Sequence, residues 1–369
     1  MRLGLRELVR SPGRFAPVGA AVTLLVILVL VFAGVGSRHV DDLNGAVARS
    51  SADVLVLSTG AQGSIQASRV SAEDVHAVAR VAGVGAAAPV GEVRVGGIVD
   101  DTLRDVSLWG VVPGGPGTPE LVEGRAPRAL GEAVVDVADR ALGFDLGARV
   151  EIADTGHTVQ VVGLTEGRRF ASIPTVTVTY PQWEAVVDAI FADADDVEPT
   201  MIAVDAGPGV PVEQVVAAIG MLDRDLVANA APQLAAGLPG VAGVRASFAV
   251  ATIVGLLAVS AVVGLFFLLI TALRQDTLTM LRAVGVPARS LTAALVTQVV
   301  TIVLGAALVG GVVVAVAAAV APPRLPLEMS PRLLATVTAA ALAVAVVATV
   351  GAVRRLRAID PAEALVGGA

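Results

Sequence analysis

The side chains able to do covalent or metal chemistry are few and scattered. His39, His76 and His157 lie too far apart in sequence to suggest a zinc site, and no H-E-x-x-H pair occurs. The chain has no cysteine, hence no disulfide framework, thiolate metal site or cysteine nucleophile. All 26 of its Lys-or-Arg positions hold arginine. Without lysine there is no P-loop, whose Lys reaches the nucleotide phosphates, and no Schiff-base or Ser-Lys site. No G-x-S-x-G elbow is present. The acidic run Asp193, Asp195, Asp196, Glu198 lacks the glycine and spacing of a calcium loop and reads as a solvated turn. What remains is docking chemistry. Arg274–Gly285 reads RQDTLTMLRAVG. On a helix, Leu278, Leu281 and Val284 form an apolar face suited to a partner's groove, with Arg274, Arg282 and Arg289 at its rim. Gly285 and Pro287 would end that helix. The same arginines also suit an ordinary positive-inside loop that needs no partner.

The elements that must carry this segment are membrane spans. Residues are 55% hydrophobic and 16% charged, a balance that excludes disorder and disfavours a purely soluble domain. Four stretches, 15–37, 246–273, 290–321 and 333–353, contain no charged side chain. Each reaches the roughly 20 apolar residues needed to cross a bilayer core. A cleaved signal peptide ending near Ala33-Gly34-Val35 is the alternative for the first, whose apolar run is longer than a usual signal core. Before it, Arg2, Arg6 and Arg10 recur along one face of residues 1–14, with Leu3, Leu5, Leu8 and Val9 as apolar surface, an interfacial amphipathic helix. Small residues at four-residue spacing, Ser260 with Gly264, Ala306 with Gly310 and Ala307 with Gly311, let helices approach closely. They serve intrachain packing or dimerisation equally well. No charged side chain inside a span marks a solute path.

Arginine placement sets the expected orientation. Residues 1–14 carry four Arg against Glu7, the 274–289 loop three against Asp276, and the 354–369 tail three against Asp360 and Glu363. These short basic segments are expected in the cytoplasm, together with both termini. Residues 37–245 instead hold 28 acids and 14 Arg, net −14, and are expected outside, as is the short 322–332 loop.

The 38–245 segment reads as an α+β domain in two subdomains. Strands are predicted at 53–58, 88–99, 106–112, 132–136, 149–152, 159–164, 174–180 and 201–205. One helix should start at Ser71, an N-cap with Asp74 three residues on, and a second should run from Val212 to about Leu226.

Several stretches together resemble the FtsX/MacB-like ABC transporter permeases. Ala52-Asp53-Val54-Leu55-Val56 is similar to the strand following the family's first span. Leu121-Val-Glu-Gly124-Arg125-Ala126-Pro127 resembles its L-x-x-G-R-x-P turn. Glu132–Asp136, Leu146–Val150 and Val161–Gly163 resemble the strands that follow it. Arg274–Gly285 is similar to the cytoplasmic R-x-R-x-E-x-x-x-L-R-A-x-G segment, and Arg357–Leu365 to the closing I-D-P-x-x-A-L. The family often has Glu where this chain has Thr277, so a contact made there shifts to Asp276 or is absent. The resemblance implies an integral membrane protein with four transmembrane helices and a MacB-like extracytoplasmic α+β domain between spans one and two. It implies a permease subunit in the bacterial plasma membrane that is not itself an enzyme. No cofactor is expected in this chain; ATP and Mg bind a separate cytoplasmic ATPase. Two permease chains, as a homodimer or heterodimer, pair over that ATPase. Arg274, Asp276, Leu278, Leu281, Arg282, Val284 and Gly285 form the coupling segment. The function implied is export or extraction of a substrate by motion passed to the outer domain. The alternative is a non-transporting regulator of an extracellular protein such as a cell-wall hydrolase. Membrane lipid is an expected partner and nucleic acid is not.

Overall fold

A computed structural model of the chain describes residues 12–191, 197–273, 288–320 and 329–357. It divides into two compact units, one of His39–Arg245 and one of Met1–Arg38 with Ala246–Ala369. In the second unit, helix α1 (Pro12–Ala48) supplies the first span. The apolar run ends near residue 37, but the helix continues to Ala48, because residues 42–47 find buried contacts in the other unit's own core.

The His39–Arg245 unit is built on one sheet. Strand β1 (Val54–Ser58) leads to helix α2 (Ala72–Ala79) and then to a long hairpin of β2 (Val84–Val99) and β3 (Thr102–Val111). Strands β4 (Glu123–Gly124), β5 (Glu132–Asp136), β6 (Arg149–Ile152), β7 (His157–Thr165) and β8 (Thr175–Thr179) follow. Helix α3 (Tyr180–Ile190), β9 (Met201–Ala206), α4 (Val212–Ile219), β10 (Leu226–Ala230) and α5 (Ala231–Gly237) complete it. The strand order is β10-β1-β9-β2-β3-β8-β5-β7-β4, with β6 bridging β2 and β7. Among the described strands, only β3–β8 and β5–β7 run parallel.

Strand alternation distributes the core over both faces. In β1, Val54 and Val56 pack with Val78 of α2 and Val215 of α4, while Leu55 and Leu57 pack with Leu234 of α5 and Val47 of α1. A third cluster, around Leu108, Phe144, Val178 and Trp183, fills the other end of the sheet. The β2–β3 hairpin joins the two ends. Ser71 does cap α2: its Oγ accepts the Asp74 N–H at 3.1 Å and the Asp74 carboxylate accepts the Ser71 N–H at 3.0 Å. The helix predicted to reach Leu226 stops at Ile219, because Gly220 and the Asp223–Asp225 turn break it and β10 then pairs with β1.

Three further helices, α6 (Val241–Leu273), α7 (Ala288–Val320) and α8 (Pro331–Arg357), belong with the span part of α1. Windows of all four are long and apolar enough to cross a membrane. Val26, Val29, Val259, Val263, Val303 and Ala341 make their shared core. Large apolar side chains also face outward, with Leu257, Leu308 and Val347 each more than half exposed. Such a surface suits lipid rather than water.

Candidate coupling site

The coupling residues read from the sequence, Arg274, Asp276, Leu278, Leu281, Arg282, Val284 and Gly285, lie outside the described residues. The small-residue positions are described. Ala306 and Ala307 are buried. A Cβ placed on Gly310 would lie 3.2 Å from Ile27 of α1, and one on Gly311 3.1 Å from Leu334 of α8. Gly264 faces Ala348 of α8, and Ser260 on the same helix is half-buried. Within this chain, Gly264, Gly310 and Gly311 stand at close helix contacts.

A second site emerges where α1 ends in the α/β unit. The loop that follows β7 inserts its backbone beside the last turns of this helix. Ala46 N–H donates to Arg169 O at 3.0 Å, while Ala171 and Ser172 donate to the carbonyls of Leu43 and Asp42 at 3.0 and 2.8 Å. Gly45 permits this approach: a Cβ there would sit 2.1 Å from the Gly167 carbonyl oxygen. Ala171 and Ser172 adopt φ of 51° and 61°, a left-handed pair that side-chain-bearing residues avoid. Such residues cost on the order of 1–3 kcal/mol each and persist where the surroundings over-determine them.

Charge closes the same joint. Arg169 reaches Asp42 of α1 at 3.3 Å and Asp139 at 3.2 Å, all three side chains largely buried. The neighbouring Arg168 donates Nη1 to Arg49 O at 2.7 Å, and its N–H donates to Asp136 Oδ2 at 2.6 Å. Burial pushes the Arg168 guanidinium down to about 10, against the pull of Asp136 and Glu120, so it stays charged at neutral pH. On the other side, Asn44 Nδ2 donates to Ala235 O of α5 at 2.9 Å. Four residues after the end of α5, Val241 opens α6 and is buried in the same cluster as Ala46 and Val47. Both segments that lead toward the spans thus share one core. None of Asp42, Asn44, Arg168 or Arg169 was singled out from the sequence; the Arg-Arg pair after Gly167 is its one local trace.

Comparison with known proteins addresses the whole chain. Residues 249–361 match the family described as FtsX-like permease C-terminal. Over that segment the chain is similar to the FtsX-like permeases. Over 348 residues, 93% of each chain, it is 29% identical to an uncharacterized ABC transporter permease of Mycobacterium tuberculosis and to one of Mycobacterium bovis. A second M. tuberculosis permease is 28% identical over 337 residues, 90% of this chain and 88% of that one. Among solved structures, the extracellular domain of the noncanonic ABC-type transporter YknZ from Gram-positive bacteria has a TM-score of 0.34 at 12% identity, covering 48% of this chain and 98% of that domain. The periplasmic region of MacB from Actinobacillus actinomycetemcomitans has a TM-score of 0.36 at 12% identity, covering 50% and 92%. The FtsX-like match covers α7, α8 and α6 from residue 249 onward, as well as the arginine-bordered loop that holds the predicted coupling segment.

Proposed function

We propose that this permease converts ATP-driven motion of a separate cytoplasmic ATPase into movement of its α/β unit outside the membrane, and so exports or extracts a substrate. The observation that carries this reading is the joint at residues 42–49. The first long helix does not end in a slack linker; backbone bonds and buried ion pairs from residues 168–172 tie its last turns into the α/β unit. A rigid element held in this way transmits displacement where a linker would absorb it. The 274–289 segment is the ATPase contact, with both termini on the same side of the membrane. The absence of lysine, and hence of a P-loop, leaves hydrolysis to the partner. Two such chains pair over the ATPase.

Co-purification tests the ATPase contact. The tagged full chain, expressed with a candidate cytoplasmic ABC ATPase, should bring that ATPase down, and Leu281→Asp should remove it while the α/β unit unfolds at an unchanged temperature. Retention of the ATPase by Leu281→Asp would count against this contact.

A further inference from the structure

The α/β unit has a gap in its sheet. β9 follows the edge of β2 as far as Val90, opposite Met201, and β6 takes that edge up again at Gly97, opposite Ile152. Ladder parity fixes what the edge between them offers. Ser107, which faces Arg94 across the β2–β3 pair, sends its N–H to Pro174 O at 2.9 Å. Residues 94 and 107 are therefore a non-hydrogen-bonded pair, and the Arg94 N–H and C=O point away from β3 into the gap. The flanks agree: Glu92 N–H donates to Thr200 Oγ1 at 3.0 Å, and Gly96 C=O accepts from Ala153 N–H at 2.9 Å. Between these closures, the Glu92 carbonyl, both Arg94 backbone groups and the Gly96 N–H form one edge left open among the described residues.

A cleft of about 520 Å³ lies along it, within the roughly 300–1,000 Å³ usual for ligand sites. Trp183, Val187 and Val197 line it with apolar surface, and Arg69, Glu92 and Glu198 with charge. Its guanidinium groups already have partners: Arg94 pairs with Asp105 at 2.7 Å, and Arg69 donates to the carbonyls of Gln66 and Ser68 at 2.9 and 2.6 Å. The acids are less well served. Glu198 makes no ion pair among the described residues. Glu92 is 3% exposed; its Oε1 accepts from Ser107 Oγ at 2.6 Å, while Oε2 has no partner of hydrogen-bond geometry among the described residues. Gln66 and Arg69 lie near enough to favour its charged form, against the burial that disfavours it. Trp183 Nε1 is likewise buried with no acceptor among the described residues.

We propose that this gap is a docking groove for an extended basic peptide, which adds a short strand to β2 between β9 and β6. A strand sends alternate side chains to opposite faces. Here Glu92 and Trp183 lie on opposite faces of the β2 edge, since Trp183 covers Gly91; Glu92 with the cleft-lining Glu198 suits a lysine or arginine, and Trp183 with the cleft-lining Val187 suits an apolar residue. Main-chain bonds to Arg94 supply affinity, and the two faces supply selection, as in strand addition generally. The 28 acids against 14 Arg in residues 37–245 steer a basic chain toward the unit.

The test uses the full chain in nanodiscs and a fluorescein-labelled, end-capped heptapeptide alternating Val and Lys, with binding read by anisotropy. The N–H of Arg94 faces the gap, so Arg94→Pro removes the docking donor without removing a β2–β3 bond. Arg94→Pro should weaken binding at least about tenfold, the scale of one or two net backbone hydrogen bonds. Arg94→Ala, which keeps the backbone, should bind within about threefold of the native chain, and a Val/Glu heptapeptide should not bind. A Val/Lys peptide methylated on alternate amide nitrogens should fail on the native protein, which decides the matter even if Arg94→Pro does not fold. Equal binding of the methylated peptide or of the Val/Glu peptide, native-like binding by a folded Arg94→Pro, or no binding of the Val/Lys peptide would overturn the proposal.

Discussion

Arg169 and Asp42 meet at 3.3 Å although 127 residues separate them in the chain. Around that contact, a loop with two left-handed residues supplies backbone partners to a helix that began as a membrane span. The contact ties the last turns of that helix to the sheet, because the same loop continues from β7 and leads to β8.

Arg169→Ala should destabilise the α/β unit, since it leaves the carboxylates of Asp42 and Asp139 buried without this cation. Breaking one side of a buried pair costs at most about 3–5 kcal/mol. Arg169→Lys should lose less, keeping the charge but not the fork that reaches two acids. Urea unfolding followed by Trp109 fluorescence checks this in a Trp183→Phe background, because Trp109 stands edge-on to Phe170 at 5.3 Å beside the joint.

Gly91→Ala should destabilise by about 1–3 kcal/mol through overpacking. Gly91 and Gly110 face each other across β2 and β3, and the Trp183 indole lies over both. A Cβ on Gly91 would come within 2.3 Å of its ring carbons. Gly60→Ala, where a Cβ meets nothing within 4 Å, is the control and should leave the unfolding midpoint nearly unchanged.

Glu92→Gln should stabilise the unit at pH 8 and change little at pH 4. Burial raises the Glu92 carboxyl above its ordinary value of 4.5, outweighing the opposing contributions of Ser107, Gln66, Arg69 and Arg94. The folded chain then keeps a proton that the unfolded chain releases. Stability is therefore lost as pH rises from about 4.5 through the folded-state value. Melting temperatures of both proteins across that range should converge in acid and diverge in base.

Much of the plan was legible in local pattern. The four charge-free runs marked the spans, and β-branched alternation marked β1, β5, β6 and β9. The extension of α1 was not, because Arg38, Asp41, Asp42 and Asn44 end the apolar signal just where tertiary contacts take over. Helix α3 was not predicted: its first residue, Tyr180, extends the alternation of β8 and was read as the end of that strand, and Thr179 caps the helix with no side-chain bond. The Arg169–Asp42–Asp139 cluster had no local signature at all. It exists only once the loop after β7 meets α1, and single-sequence periodicity carries no information about that meeting.

The claim that the joint transmits motion can be measured without knowing the substrate. The chain has no native cysteine, so spin labels can be placed at Met221→Cys, 84% exposed on the α/β unit, and Val347→Cys, 71% exposed on α8. In nanodiscs with its ATPase, trapping with ATP and vanadate should shift the distance between the labels. The shift should vanish in a folded, ATPase-bound Asp42→Ala/Arg169→Ala variant that still hydrolyses ATP. The same shift in that variant, or no shift in the native chain, would contradict the account.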